Sequence, residues 1–225
     1  MEKLGIAGNE NIGVYLTATD AYLLAPSEIK PSALMAAERT LRVHAHMITV
    51  AGTQIIGTFV AANSHGVVFP YIARESEYAR LSESLNIAVS SDACTALGNL
   101  VLANDYGAIA SPRLKPETLK ILGETLEVKV VTGTIAGSHL VGSFAVCTNE
   151  GALVHPMSSE DERKLIEEVL GVEAWGGTVN EGVPYVRTGL VANANGALVG
   201  YKTTGPEVMT VEMAFNLARG EAVEG

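Results

Sequence analysis

Apolar and polar positions along the chain alternate between two textures. In one, apolar phrases are broken by a turn containing Asn or Gly: IIGTFVAANSHGVVFP from Ile55, ALGNLVLANDYGAIASP from Ala96 and LVGSFAVCTNEGALVHP from Leu140. These read as paired strands joined by tight turns. In the other, apolar residues recur at helical spacing behind a start signal. LKPETLKILGETLEV places Pro116 at a first helical position with Leu119, Leu122 and Leu126 on one face. SSEDERKLIEEVLGV offers Ser158 or Ser159 as a cap, Glu160, Asp161 and Glu162 for the positive helix end, and Leu165, Val169 and Leu170 as the inward face. TTGPEVMTVEMAFNLA sets Thr204 and Glu207 as a capping box around Pro206. SEIKPSALMAAERTLRV and ARESEYARLSESLNI follow the same template less sharply, and a third β-rich piece such as VHAHMITV or VKVVTGTIAG leads into each next copy.

The two textures repeat together. Weaker versions of the paired-strand phrase, NIGVYLTATDAYLLAP from Asn11 and RTGLVANANGALVG from Arg187, flank the three clear copies; the first lacks the turn glycine and the last is shorter in its first strand. Five glycines anchor the copies: Gly13, Gly57, Gly98, Gly142 and Gly189, spaced by 44, 41, 44 and 47 residues. The unit is therefore strand, turn, strand, helix, strand, with repeats at approximately 1–44, 45–88, 89–130, 131–175 and 176–220 and a short flexible tail at 219–225. A unit of this size buries too little surface to stand alone, so five copies must share a core. Neither end carries a polar capping repeat, which favours a ring over an open solenoid. The expected class is α/β, one domain over 1–225 made of five pseudo-symmetric ββαβ-type repeats.

Composition narrows the function. With 48% hydrophobic residues the chain can bury a sizeable core, while a formal net charge of −10 argues against a general nucleic-acid binder. Two cysteines, Cys94 and Cys147, make neither a disulfide framework nor a zinc set and read as buried thiols. His44 and His46 share a strand face but have no identifiable third ligand, so no metal is expected. Trp175 reads as a packing residue beside Gly176 and Gly177. No stretch approaches a membrane span and the N-terminus has no apolar leader, so a cytoplasmic protein is expected.

The three long phrases, in that order, together with GGTVNEG and YKTTGPE, resemble the initiation factor 6 family in its archaeal form, from about Asn9 to Leu217. The resemblance implies the pentein fold, an α/β propeller of five units in a closed ring. It implies a non-enzymatic monomer without cofactor or small-molecule substrate. The family binds the large ribosomal subunit beside the sarcin–ricin loop, chiefly through a neighbouring ribosomal protein with limited rRNA contact. Bound there, it prevents association with the small subunit, and a role in large-subunit maturation is a further expectation. Carried over by position, the ribosome-binding candidates are Thr58, Asn63, His65, Asn99 and Phe144. At Thr58 the eukaryotic relatives tend to carry a basic residue.

Each candidate also has a structural reading. Asn63, Asn104, Asn149 and Asn193 sit where hairpin turns favour residues that tolerate positive φ. Asn99 lies inside what reads as a strand phrase, where a polar residue needs an internal or external partner. The rival function is a guanidino-modifying hydrolase or transferase on the same ring. It is disfavoured because no cysteine follows Cys147 and no histidine follows His155, whereas those enzymes place a nucleophilic cysteine near the C-terminus.

Overall fold

The computed structural model describes residues 1–217; the tail expected at 219–225 lies outside them. The elements run β1 (Glu2–Leu4), a 3-10 turn (Ile12–Val14), β2 (Thr17–Ala18), β3 (Tyr22–Pro26), α1 (Pro31–Leu41), β4 (His44–Ile48), α2 (Ile56–Phe59), β5 (Ala61–Ala62), β6 (Gly66–Pro70) and α3 (Glu75–Tyr78). After a 3-10 turn (Leu81–Glu83) come β7 (Asn86–Ser90), α4 (Leu97–Leu100), β8 (Val101–Ala103), β9 (Gly107–Ala110), α5 (Pro116–Leu126), β10 (Lys129–Thr132), α6 (Val141–Phe144) and β11 (Ala145–Cys147). The chain continues through β12 (Ala152–Val154), α7 (Glu160–Leu170), β13 (Ala174–Gly176), α8 (Val186–Gly189), β14 (Leu190–Asn193), β15 (Gly196–Gly200) and α9 (Gly205–Ala214).

Five three-stranded sheets result: β2-β3-β4, β5-β6-β7, β8-β9-β10, β11-β12-β13 and β14-β15-β1. In each, a short antiparallel hairpin is joined by a strand parallel to its central member. The fifth sheet takes that parallel strand from the start of the chain, with Glu2 opposite Leu198 and Leu4 opposite Gly200.

The central strands are apolar throughout because both their faces are buried. Successive side chains point to opposite sides of a sheet and enter different cores. Leu23 joins Leu4, Val191 and Leu198, whereas Leu24 joins Ile56, Phe69 and Leu81. Ala108 packs with Val68 and Leu122, its neighbour Ile109 with Val141 and Leu170. A fifth core holds Val146, Leu153, Val186 and Phe215. Every core thus spans two neighbouring units, and one of them joins the fifth unit to the first.

The repeat differs from the sequence expectation at its beginning. The anchoring glycines Gly13, Gly57, Gly98 and Gly142 lie in short helical turns, not strands, and the strand that follows shrinks to two or three residues. A Cβ at Gly57 would overlap the Gly13 carbonyl oxygen, one at Gly98 that of Gly57, and one at Gly142 that of Gly98. A Cβ at Gly13 would overlap the carbonyl oxygen of Arg187. Arg187, in VRTG, therefore occupies the fifth anchoring position. Gly189 lies two residues further on, with Val179 and Asn180 against it, which accounts for the 47-residue spacing.

The hairpin turns also work for a different reason than expected. Asn63, Asn104 and Asn193 do not have positive φ. The side-chain oxygen of each accepts the backbone N–H groups two and three residues on, closing the turn. Each amide nitrogen donates to a turn carbonyl of the next unit (Asn104, Thr148, Thr19) and to the carbonyl ending that unit's helix (Leu126, Leu170, Leu41). The turn glycines Gly66, Gly107, Gly151 and Gly196 are required by close approach of the neighbouring helix's backbone. In the first copy Tyr22 stands in that place. There the neighbouring helix is broken into α3 and the Leu81–Glu83 turn, where Ser82 and Ser84 bond local carbonyls of Ala79 and Leu81. The buried Tyr22 hydroxyl donates to the Asn63 carbonyl.

Carboxylates clamp the units from outside. Glu77, Glu162 and Glu207 each accept the hydroxyl of Thr49, Thr134 or Thr178, two N–H groups of the loop after the preceding sheet, and the N–H of their own helix cap. Asp92 makes the reverse connection, accepting from Lys115 N–H and the Thr118 hydroxyl. Burial alone would raise these four acids, but the hydrogen bonds outweigh it and hold all four below their ordinary values. Their stabilisation is therefore present above the unfolded carboxylate range, near pH 4, and is lost as pH falls through the folded values. Chemical unfolding followed from pH 7 to pH 3 should show stability falling steeply below about pH 4.5, with a shallower fall in the Glu162→Gln variant.

Candidate functional site

The helical turns form one continuous set of contacts, α2 on the Ile12–Val14 turn, α4 on α2, α6 on α4, α8 on α6, and α8 on the Ile12–Val14 turn. The residue after each anchoring position is half-buried: Val14, Thr58, Asn99, Ser143 and Thr188. Thr188 returns its hydroxyl to the Tyr185 carbonyl at 2.8 Å. Among the described residues, the polar side-chain groups of Thr58, Asn99 and Ser143 have no hydrogen-bond partner. Asn99 is thus not a strand residue whose polarity must be absorbed in a sheet. It stands in the α4 turn, held by its backbone N–H to the Ala96 carbonyl at 3.0 Å, with its amide directed to no internal group.

The structure brings Thr58 and Asn99 together on touching turns and puts Phe144 on the next. Phe144 is buried, its ring 4.9 Å from His155 and 5.0 Å from Tyr185. It supports the exposed Tyr185 and offers little surface itself. Asn63 and His65 lie beyond β5 in the hairpin turn, apart from this group. Asn63 is only 2% exposed with both amide ends used internally, so it has nothing left for a partner. His65 is exposed, and its Nδ1 is 4.0 Å from Glu127.

Within the turns, the first strands of all five units line a cavity of ≈ 40 Å³. Arg187 enters it in place of the glycine its neighbours carry. Its guanidinium donates to the Thr17 hydroxyl at 3.3 Å and the Gly57 carbonyl at 3.2 Å, while its buried Nε has no partner. Burial lowers its pKa. Cys147 shares the cavity, and burial pushes its thiol up to about 12 against the opposing pull of the Arg187 charge. At the hairpin end, the Asn149 amide donates to Asp20 at 2.6 Å and to Asp105 at 2.7 Å. Among the described residues there is no group of three His, Cys, Asp or Glu side chains suited to a metal ion, and no helix long and apolar enough to cross a membrane. His44 and His46 both lie on β4, with His46 edge-on to Tyr22.

A repeat of five such units, with helical turns stacked on glycines and a polar group left open on them, is matched along its length by one family model, the eIF-6 family, over residues 1–214. The chain belongs to the eIF-6 family. It is 43% identical over 220 residues to translation initiation factor 6 of Aeropyrum pernix, covering 96% of this chain and 94% of that protein. The namesake factor of Pyrococcus horikoshii is 36% identical over 222 residues, 96% and 98% of the two chains. That of Methanosarcina mazei is 36% identical over 204 residues, 91% and 93%. Within this eIF-6 chain, Arg187 is the site residue that sequence reading passed over. Its signal was present: aligning VRTG with IGTF, LGNL and VGSF puts arginine under the glycine.

Proposed function

We propose that this translation factor binds the large ribosomal subunit through the open side of its helical turns and thereby excludes the small subunit. The unpartnered amide of Asn99, beside Thr58 and Ser143, carries the reading. A half-buried amide with no internal bond loses part of its hydration in an interface and regains it only if the partner supplies a complement. Tyr185, propped by Phe144, adds an exposed aromatic of the kind that anchors interfaces. Exclusion needs only a patch burying about 1,200–2,000 Å² in total, with no group transferred. The acidic balance keeps the chain off bulk RNA and favours a ribosomal protein as the main contact. A soluble, cytoplasmic monomer suits this role, as does action during large-subunit maturation.

The enzymatic alternative finds no support in the cavity. Its thiol, Cys147, is pushed up to about 12, the opposite of an activated nucleophile.

Sedimentation with purified archaeal subunits tests the proposal. Wild-type protein should travel with the large subunit and reduce joined ribosomes. Asn99→Ala, with unchanged thermal unfolding, should bind roughly tenfold more weakly, about 1.4 kcal/mol. Absence from the large-subunit peak at low salt would overturn it.

A further inference from the structure

Among the described residues, a carboxylate joins the loop after a sheet to the N-terminus of the next helix at four of the five junctions. Between the fifth sheet and α1 the bridging carboxylate, Glu2, instead bonds Arg39 and Thr40 near the far end of the helix, and the loop is left unclamped. That loop, Gly5-Ile6-Ala7-Gly8, has the conformation of the clamped loops. Ile6 bridges Asn9 as Val50 bridges Thr53 and Ile135 bridges Ser138. Ala7 and Gly8 have φ of 52° and 77°, against 52° and 73° at Ala51 and Gly52 and 50° and 71° at Ala136 and Gly137. In the clamped loops these two residues present their N–H groups to Glu77 and Glu162 at 2.8–2.9 Å. The helix facing Ala7 and Gly8 carries Ala33 where the others carry those glutamates, three residues after the cap.

The consequence is a set of donors without an acceptor. Among the described residues, the N–H groups of Ala7, Gly8 and the cap residue Lys30 have no hydrogen-bond partner. Where the glutamate side chain would lie there is a cavity of ≈ 200 Å³, walled by Tyr15, Pro26, Ile29 and Ala33 with Lys30 beside them. Glu28 also lines it, but its carboxylate bonds none of the three N–H groups. Apart from Glu28, Lys30 and Gln54 the lining side chains are apolar or aromatic, and the donors, the helix N-terminus and the Lys30 ammonium favour negative charge at one end.

We propose that this cavity is a binding site for an external carboxylate on a short aliphatic stem, of glutamate side-chain size. Two sources share that chemistry, a glutamate of a partner protein and a free aliphatic acid. The inference is independent of the ribosome-binding reading.

Amide ¹H–¹⁵N spectra of the full chain test it, titrated with butyrate and butyramide, and with acetyl-Ala-Glu-Ala-amide and its glutamine counterpart. Saturable shifts of the Ala7, Gly8 and Lys30 amides are expected with the carboxylates and not with the neutral analogues. Response to the peptide alone points to a protein source, and response to butyrate alone to a free acid. Ala33→Glu should supply the missing clamp internally: the three amides shift without ligand, no longer respond to it, and Tm rises by about 2–6 °C. Ala33→Leu should fill the cavity and abolish the response without shifting the amides in that way. No response to either carboxylate at roughly 100 mM, a hundredfold above a millimolar Kd, would overturn the proposal. So would equal shifts with the neutral analogues, or an undiminished response in both Ala33 variants.

Discussion

Gly98→Ala should lower stability by about 3 kcal/mol or more, read as an earlier midpoint in urea unfolding and a Tm roughly 6–12 °C lower. The added methyl would overlap the carbonyl oxygen of Gly57, with the Val60 and Thr58 carbonyls also against it. These are backbone atoms of a neighbouring turn, so no rotamer change can relieve the contact. Moving α4 away would also move the Gly98 carbonyl, which defines the space beside Gly142. The strain therefore passes from unit to unit instead of being absorbed locally. Gly205→Ala is the matching control, since nothing lies within 4 Å of its added methyl. There the change should be neutral or slightly stabilising, because the unfolded chain loses freedom at no native cost. A Gly98→Ala loss below about 1 kcal/mol would show that the turns are not stacked this tightly.

The five-fold repetition and the helices with explicit start signals were legible because they rest on local rules. Pro116 and Pro206 begin helices, and Ser159 and Thr204 complete capping boxes. The continuous apolar texture of GVVFP or GALVG predicts a buried strand. It does not say that alternate residues serve different cores, because that depends on what packs on each side. The anchoring turn is hidden in the sequence for the same reason. IIGTFV has strand-like residues, but four of them are wound into helix so that Gly57 can meet Gly13. Both distant partners are needed to see it. Asn99 stands out by residue type in a phrase that reads as a strand, and in the α4 turn it occupies, its amide has no internal partner among the described residues. Asn63 drew attention through the same kind of polarity, yet its bonds are to carbonyls 41 and 63 residues away and could not be read from the turn sequence. Arg187 was hidden by alignment on Gly189, two positions out of step.

Asn104 should show a graded loss that separates its two roles. Its side-chain oxygen accepts the N–H groups of Tyr106 at 3.0 Å and Gly107 at 3.1 Å; its amide nitrogen donates to the carbonyls of Thr148 at 3.0 Å and Leu170 at 2.9 Å. The first pair closes its own turn, and the second joins that turn to the next turn and to the end of α7. Because the residue is buried, water cannot take over these bonds. Asn104→Ala should therefore cost roughly 3–4 kcal/mol, about 1 kcal/mol for each bond lost. The molecule already contains a partial substitute, since the Thr148 hydroxyl accepts from Glu150 and Gly151 and that of Thr19 from Ala21 and Tyr22. Asn104→Thr should restore turn closure but not the two donations across the junction, leaving about half the loss. Asn104→Asp keeps the accepting oxygen but turns a charged oxygen toward two carbonyls, and at neutral pH it should be worse than alanine. The expected order in urea unfolding is wild type, Thr, Ala, Asp. If Thr and Ala were equally destabilised, the turn-closing bonds would contribute nothing, and the stability of the hairpin would reside wholly in the links that run between units.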